Sequence, residues 1–313
     1  MTRKAREVRD VHGLLLLDKP LGLSSNRALQ QVRWLFGARR AGHTGSLDPL
    51  ATGLLPLCFG EATKIAGYLL GSSKAYLAEC CLGQTTRTDD GEGEIIDRQP
   101  VPLLEPQRVE ALLKEFVGRI QQVPPIYSAL KQGGEPLYRK ARRGEQVEVA
   151  AREVEIHRLD LVAIEEHRLR LHIECGSGTY IRSLARDIGQ RLGCGAHLSA
   201  LRRIWVEPFD QPRMYTLEAL EACAEQGQQA LAACLLPIRE GLTHWPRWTL
   251  DRAQTVAIHA GRKIRVPEAE HPGMCLLENR HGEPLALGEV SVTAEIRVVR
   301  GFHFGDARQD ENA

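Results

Sequence analysis

Between residues 42 and 56 the chain reads Gly42-His43-Thr44-Gly45-Ser46-Leu47-Asp48-Pro49-Leu50-Ala51-Thr52-Gly53-Leu54-Leu55-Pro56, and no other stretch restricts the backbone so tightly. Glycine tolerates positive φ, while proline locks φ and donates no hydrogen bond, so the run makes an irregular loop. The apolar residues Leu54 to Phe59 behind it read as a buried strand. Asp48 is thus displayed on a rigid turn beside a core strand, where a carboxylate can act on a substrate without moving. An isolated Asp-Pro pair also starts turns and caps helices, so the loop alone leaves both roles open.

The rest of the chain narrows the choice. With 313 residues, one large domain plus a smaller one is expected. No apolar run approaches the ~20 residues of a membrane span. The start, Met1-Thr2-Arg3-Lys4-Ala5-Arg6, lacks the apolar core of a secretory signal, which points to the cytoplasm. The eight cysteines form no C-x-x-C pair and several lie in apolar runs, the pattern of buried reduced thiols and not of a metal site. The net charge of +1 hides an uneven distribution: residues 1 to 40 carry nine Lys/Arg against three Asp/Glu, so a local basic face is expected.

In chain order, the run Gly13 to Leu17 predicts a core strand that delivers Lys19 to a surface loop. Ser24-Ser25-Asn26 can cap a helix with the apolar face Ala28, Leu29, Val32, Leu35 and Phe36, stopped by Gly37. Its polar side and the following loop hold Arg27, Arg33, Arg39 and Arg40, a solvated face or a phosphate contact. Helices are predicted from Gly60 to about Leu70, from Pro106 to Gly118 and from Thr216 to Leu235, and a strand from Lys74 to Gly83. Tyr76, near the start of that strand, is a core residue or a platform for an extruded base. Thr85 to Gly93 is a polar turn with Asp89 and Asp90. Leu137 to Gly144 puts four basic residues in five positions beside Tyr127 and Tyr138, a mixture suited to RNA backbone contact and stacking, or a charged amphipathic helix. Residues 152–165 and 167–175 predict a hairpin, and Ile181, Leu184, Ala185, Ile188 and Leu192 a helix face. Thr243 to Trp248 reads as a connector. The alternating segments beyond it suggest a small β-barrel, and the polar tail from Asp306 to Ala313 reads as disordered.

The Gly45 to Pro56 run resembles the signature of the TruB family, the tRNA pseudouridine-55 synthases. Two further signatures resemble the same family: Val123 to Lys131 with Leu137 to Gly144, and Gly178-Thr179-Tyr180-Ile181-Arg182. The resemblance implies an α+β fold, with a central mixed, mainly antiparallel sheet flanked by helices, and a small C-terminal PUA-like β-barrel. It implies a catalytic domain over 1–247, with a thumb inserted at about 123–151, and an RNA-binding domain over 248–313. It makes Asp48 the nucleophile and His43 the filler of the gap left by flipped bases. Tyr76 becomes the stacking partner of the extruded uridine, Tyr180 and Leu201 line the pocket, and Asp90 joins the polar network.

Isomerisation moves the ribose C1′ bond from N1 to C5 with no net oxidation and no group added, so no cofactor and no metal are expected. A nucleophilic carboxylate in a water-poor pocket needs a cationic neighbour to stay ionised, and Arg182 is the candidate. Lys19, Lys64, Lys131, Arg139, Arg142 and Arg143 are the candidate RNA-backbone contacts. The expected partner is the tRNA T-stem-loop, bound by a monomer without guide RNA. Two alternatives stay open: an RNA-binding folding helper in which catalysis is secondary, and a guide-RNA-dependent synthase like dyskerin. The chain departs from the family pattern at Arg87, where aspartate is usual, and at Gly176-Ser177, where Ser-Lys is common.

Overall fold

The computed structural model describes residues 8–128, 130–266 and 271–304; the predicted disordered tail lies outside them. The chain opens with β1 (Gly13–Lys19), α1 (Ser25–Phe36), β2 (Ala41–His43) and β3 (Ala51–Phe59). After a 3-10 turn at Gly60–Lys64 come α2 (Ala66–Leu70), β4 (Lys74–Leu82), β5 (Gln84–Thr86), β6 (Ile95–Arg98), α3 (Pro106–Lys114) and β7 (Gly118–Gln122). The segment between β7 and the next long strand holds β8 (Lys131–Gln132), β9 (Glu135–Pro136) and α4 (Leu137–Arg142). Then follow β10 (Arg152–Glu165), β11 (Arg168–Cys175), α5 (Ile181–Arg191), β12 (Ala196–Val206), α6 (Leu217–Glu225) and α7 (Gln228–Ala232). The C-terminal part contributes β13 (Arg247–Thr249), α8 (Arg252–His259), β14 (Ile264–Arg265), β15 (Gly273–Glu278), β16 (Pro284–Val290) and β17 (Glu295–Gly301).

The main sheet runs β1-β3-β12-β4-β11-β10-β7, with β2 added to β3. It is antiparallel except for β12 against β3, the mixed, mainly antiparallel arrangement the motifs implied. Strands β1 and β3 are apolar at successive positions because both of their faces are covered. Leu15, Leu17, Leu55 and Leu57 face the cluster formed with α1, α3 and α5. Leu14, Leu16, Leu54 and Cys58 face Ile65, Leu69 and the C-terminal residues Leu276, Leu287 and Phe302. The period of two therefore sorts one apolar run into two cores, each leucine contributing about 2 kcal/mol of transfer free energy.

Helix α1 forms where its caps predict. Ser24 accepts from the Arg27 backbone N–H at 3.3 Å, and Gly37, at φ 62°, stops the helix in the left-handed region. Other boundaries move. The helix predicted over Thr216 to Leu235 is broken at Gly227, whose φ of 112° no helix continues through. The one from Pro106 ends at Lys114, and the helix from Gly60 begins as a 3-10 turn.

The C-terminal sheet, ordered β13-β15-β16-β17-β14, is a curled half-barrel with its own core around Leu250, Cys275, Leu277 and Ile296. It is tied to the main sheet through Lys64, which pairs with Glu61 and donates to Gly301 O at 2.7 Å, while Glu61 accepts from His303 N at 2.7 Å. All eight cysteines are free thiols and six are buried. No helix among the described residues is long and apolar enough to cross a membrane.

Candidate active site

Asp48 lies on the loop between β2 and β3, and the backbone there is fixed from several sides. Thr44 N donates to Pro56 O at 3.0 Å, Gly22 N to Pro49 O at 2.8 Å, and Ala51 N to Asp48 O at 3.0 Å. Where the loop enters β3, Gly53 sits at φ 95°, and a Cβ there would lie 2.2 Å from Arg203 O. Only glycine lets β12 approach this closely.

The second wall is the start of α5. Tyr180 is the half-buried N-cap residue, its N–H bound to Gln122 Oε1 at 2.8 Å. Arg182 is 7% exposed and both of its terminal nitrogens are engaged. Nη2 reaches Asp48 Oδ2 at 2.9 Å and Tyr127 O at 3.0 Å; Nη1 reaches Asp90 Oδ2 at 3.4 Å and Thr88 O at 3.1 Å. Asp90 is 3% exposed, and its other oxygen accepts from the Thr88 hydroxyl at 2.5 Å and from Glu92 N at 3.1 Å. One guanidinium thus ties the Asp48 loop, the 86–92 turn and the segment at Tyr127.

The ion pair expected from the sequence is present, but its effect on Asp48 is not the expected one. Loss of solvation pushes this carboxyl above the usual aspartate range; Arg182 pulls against it, Asp90 adds to it, and Lys19 pulls back weakly. The side chain is 49% open, yet loss of solvation outweighs the pull of Arg182. Asp48 is therefore a more basic carboxylate than a free aspartate.

Tyr76, on β4, is 7% exposed, and its phenol is pushed up by burial against the pull of the hydrogen-bonded Arg203. Stacking a base on it requires the groups covering it to part. Leu201, half-buried on β12, pairs with Ala51 on one side and Ala78 on the other. His43 closes β2, and burial with the nearby Arg203 pushes its imidazole down, so the ring is neutral at pH 7.

Similarity to known proteins gives the family. The model of the TruB family pseudouridylate synthase N-terminal domain matches residues 33–181, and that of the tRNA pseudouridylate synthase B C-terminal domain matches 182–243. The chain belongs to the TruB family of pseudouridylate synthases. It is similar to tRNA pseudouridine synthase B of Xanthomonas campestris pv. campestris (strain B100), 56% identical over 94% of this chain and 95% of that one. To the enzyme of the same name from Stutzerimonas stutzeri (strain A1501) it is 52% identical over 95% and 97%. Among solved structures, an H/ACA RNP bound to a substrate RNA containing 2′-deoxyuridine matches with a TM-score of 0.73 at 22% identity, covering 96% of this chain and 92% of that one. A Cbf5-Nop10-Gar1 complex matches equally, at 0.73 and 23%, covering 97% and 92%. These structures carry the fold.

On this TruB-family scaffold, the candidate RNA contacts divide. Lys131, Arg139, Arg142 and Arg143 are exposed on the thumb. The Arg142 guanidinium lies over the Tyr138 ring at 5.6 Å, and Arg143 grips Glu135 with two bonds of 2.7 and 2.8 Å. Lys19 is not on a surface loop. It is fully buried, its ammonium donates to Leu23 O at 2.6 Å and Pro20 O at 2.9 Å, and burial lowers its pKa to about 8. Lys64 is likewise engaged, in the tie to the C-terminal sheet. Both ammoniums are thus taken up by contacts within the protein. Of the departures from the family pattern, Arg87 pairs with Glu94 on the outside of the β5–β6 hairpin and Ser177 is exposed.

Sequence reasoning missed three parts of the TruB-family site. Arg203, 1% exposed, donates to Leu54 O at 2.7 Å and Gly45 O at 3.3 Å, bracing the loop from β12. An arginine at a core-facing strand position was the available signal. Arg186, one turn after Arg182, binds Asp89 at 2.9 Å and Val123 O at 3.0 Å. Ser25, placed among possible caps, instead bonds Leu47.

Proposed function

We propose that this enzyme isomerises uridine 55 in the T-loop of tRNA to pseudouridine, with Asp48 attacking a flipped-out uridine. The observation that carries the reading is the half-open Asp48 carboxylate held at 2.9 Å by a buried arginine. Relatives more than half identical over nearly the whole chain are named tRNA pseudouridine synthase B. The uridine leaves its stack at a cost of a few kcal/mol, which the neutral His43 ring offsets by filling the gap. Tyr76, Tyr180 and Leu201 enclose the base, and the basic thumb contacts the stem backbone. The C-terminal unit, residues 248–313, adds an RNA-binding surface of the PUA kind, with Arg262 and Arg265 exposed beside Gly261. The test is to incubate purified protein with unmodified tRNA and no additive, then map pseudouridine by sequencing. Product at position 55 alone is expected; product elsewhere, or none, rejects the reading.

The raised carboxyl makes a second expectation. Attack needs Asp48 ionised, and a pKa above the ordinary value means the reactive form is lost earlier on acidification. Single-turnover rates should therefore fall with decreasing pH around a midpoint clearly above the ~4 of a free aspartate. A midpoint at or below that value would show that Arg182, not burial, dominates.

A further inference from the structure

We propose that Ser25 is a positioning residue for the nucleophile, fixing the peptide before Asp48 and through it the direction of the carboxylate. The inference rests on the reading of Asp48 as the attacking group. Ser25 is 3% exposed and begins α1, yet the helix is capped by Ser24, which leaves the Ser25 hydroxyl for other work. That hydroxyl accepts from Leu47 N at 2.7 Å and donates to Leu47 O at 2.9 Å, so both polar groups of one loop residue rest on one side chain 22 positions away. The Leu47 side chain, 5% exposed, is sunk in the core beside it.

The residue on the other side of Asp48 is held by the same segment, because Gly22 N donates to Pro49 O at 2.8 Å. The segment is itself closed by Lys19, whose ammonium bridges Pro20 O and Leu23 O. Asp48 is thus suspended between two points on a single rigid support. With the hydroxyl gone, the Leu47 N–H and C=O lose their partner in a buried place, the peptide is free to rotate, and the carboxylate drifts from Arg182. A displacement of 1 Å at a reacting atom lowers a rate by about 10²-fold.

The experiment compares the full-length wild type with Ser25→Ala, Ser25→Cys and Ser24→Ala. Ser24→Ala removes the cap of the same helix and controls for lost stability. For Ser25→Ala, kcat on a tRNA transcript is expected to fall by roughly 10- to 100-fold with KM within about threefold. Amide exchange across residues 44–50 should rise. Ser25→Cys keeps the size with a weaker hydrogen bond and should fall between. Ser24→Ala should lower Tm while keeping kcat within about twofold of wild type. The proposal is overturned if Ser25→Ala keeps wild-type kcat, if kcat follows Tm alike in the two alanine variants, or if loop exchange is unchanged. The exchange arm needs no turnover, so it decides the clamp even if the substrate reading fails; failure of that reading appears instead as a wild type that makes no pseudouridine.

Discussion

An Asp48→Asn protein is expected to bind tRNA with affinity close to wild type and to form no detectable pseudouridine, a loss of at least about 10⁴-fold in kcat. The substitution is nearly isosteric. The amide oxygen can still accept from Arg182 and the loop keeps its outside anchors at Gly22, Ser25 and Arg203, so the cleft retains its shape. What disappears is the anionic oxygen, for which an amide is no substitute. Binding survives because the substitution leaves the exposed Lys131, Arg139, Arg142 and Arg143 untouched. The same variant separates catalysis from a folding-helper role: it should still remodel misfolded tRNA if that activity exists, and should still make no product. Filter binding together with product mapping checks both halves, and turnover above about 1% of wild type would remove Asp48 from the nucleophile's place.

The sequence exposed those parts of this site that lie close together along the chain. Asp48 was legible because its backbone context is written in adjacent glycines and prolines, which constrain geometry locally. The Arg182 pairing was legible for a chemical reason, since a buried carboxylate requires a cation and arginine cannot lose its proton. Side-chain direction was not legible. Lys19 stands at the end of an apolar strand, where a lysine normally escapes to solvent, yet two carbonyls of the next turn capture it. Lys64 would read equally well as a phosphate contact; that it meets Gly301, 237 residues on, depends on how the C-terminal sheet docks. Ser25 illustrates the same limit at short range. Three polar residues at a helix start all look like caps, and only the tertiary position of Leu47 shows which one faces inward.

The balance of burial and charge at Asp48 escaped for a related reason. The need for a cation makes Arg182 a candidate partner of Asp48, but does not show that Asp90 shares the same guanidinium. Two carboxylates share one cation, and the second shields Asp48 from part of its benefit while adding a repulsion. The arrangement leaves the Asp48 carboxyl above, not below, the ordinary aspartate range. A carboxylate held far below its ordinary pKa would be a poorer nucleophile.

Replacing the shared cation should therefore act on several partners at once. Arg182→Lys is expected to lower kcat by about 10²- to 10³-fold, because one ammonium cannot span the Asp48 and Asp90 carboxylates and the Thr88 and Tyr127 carbonyls that the planar fork reaches together. Arg182→Met should be worse in a distinguishable way. It leaves Asp90, 3% exposed, without its cation, and uncompensated buried charge costs about 3–5 kcal/mol of stability. The half-open Asp48 adds little to that figure because solvent screens it. In the methionine variant the Asp48 carboxyl loses the strongest of the pulls that lower it, so the acid limb of its residual activity should move further up in pH. Arg182→Lys, which keeps a positive charge nearby, should show a smaller movement. Rates measured across pH, with denaturant unfolding of the same proteins, separate loss of geometry from loss of charge. A lysine variant within about threefold of wild type would mean that positive charge alone suffices at this position, and the fork geometry would then have no part in catalysis.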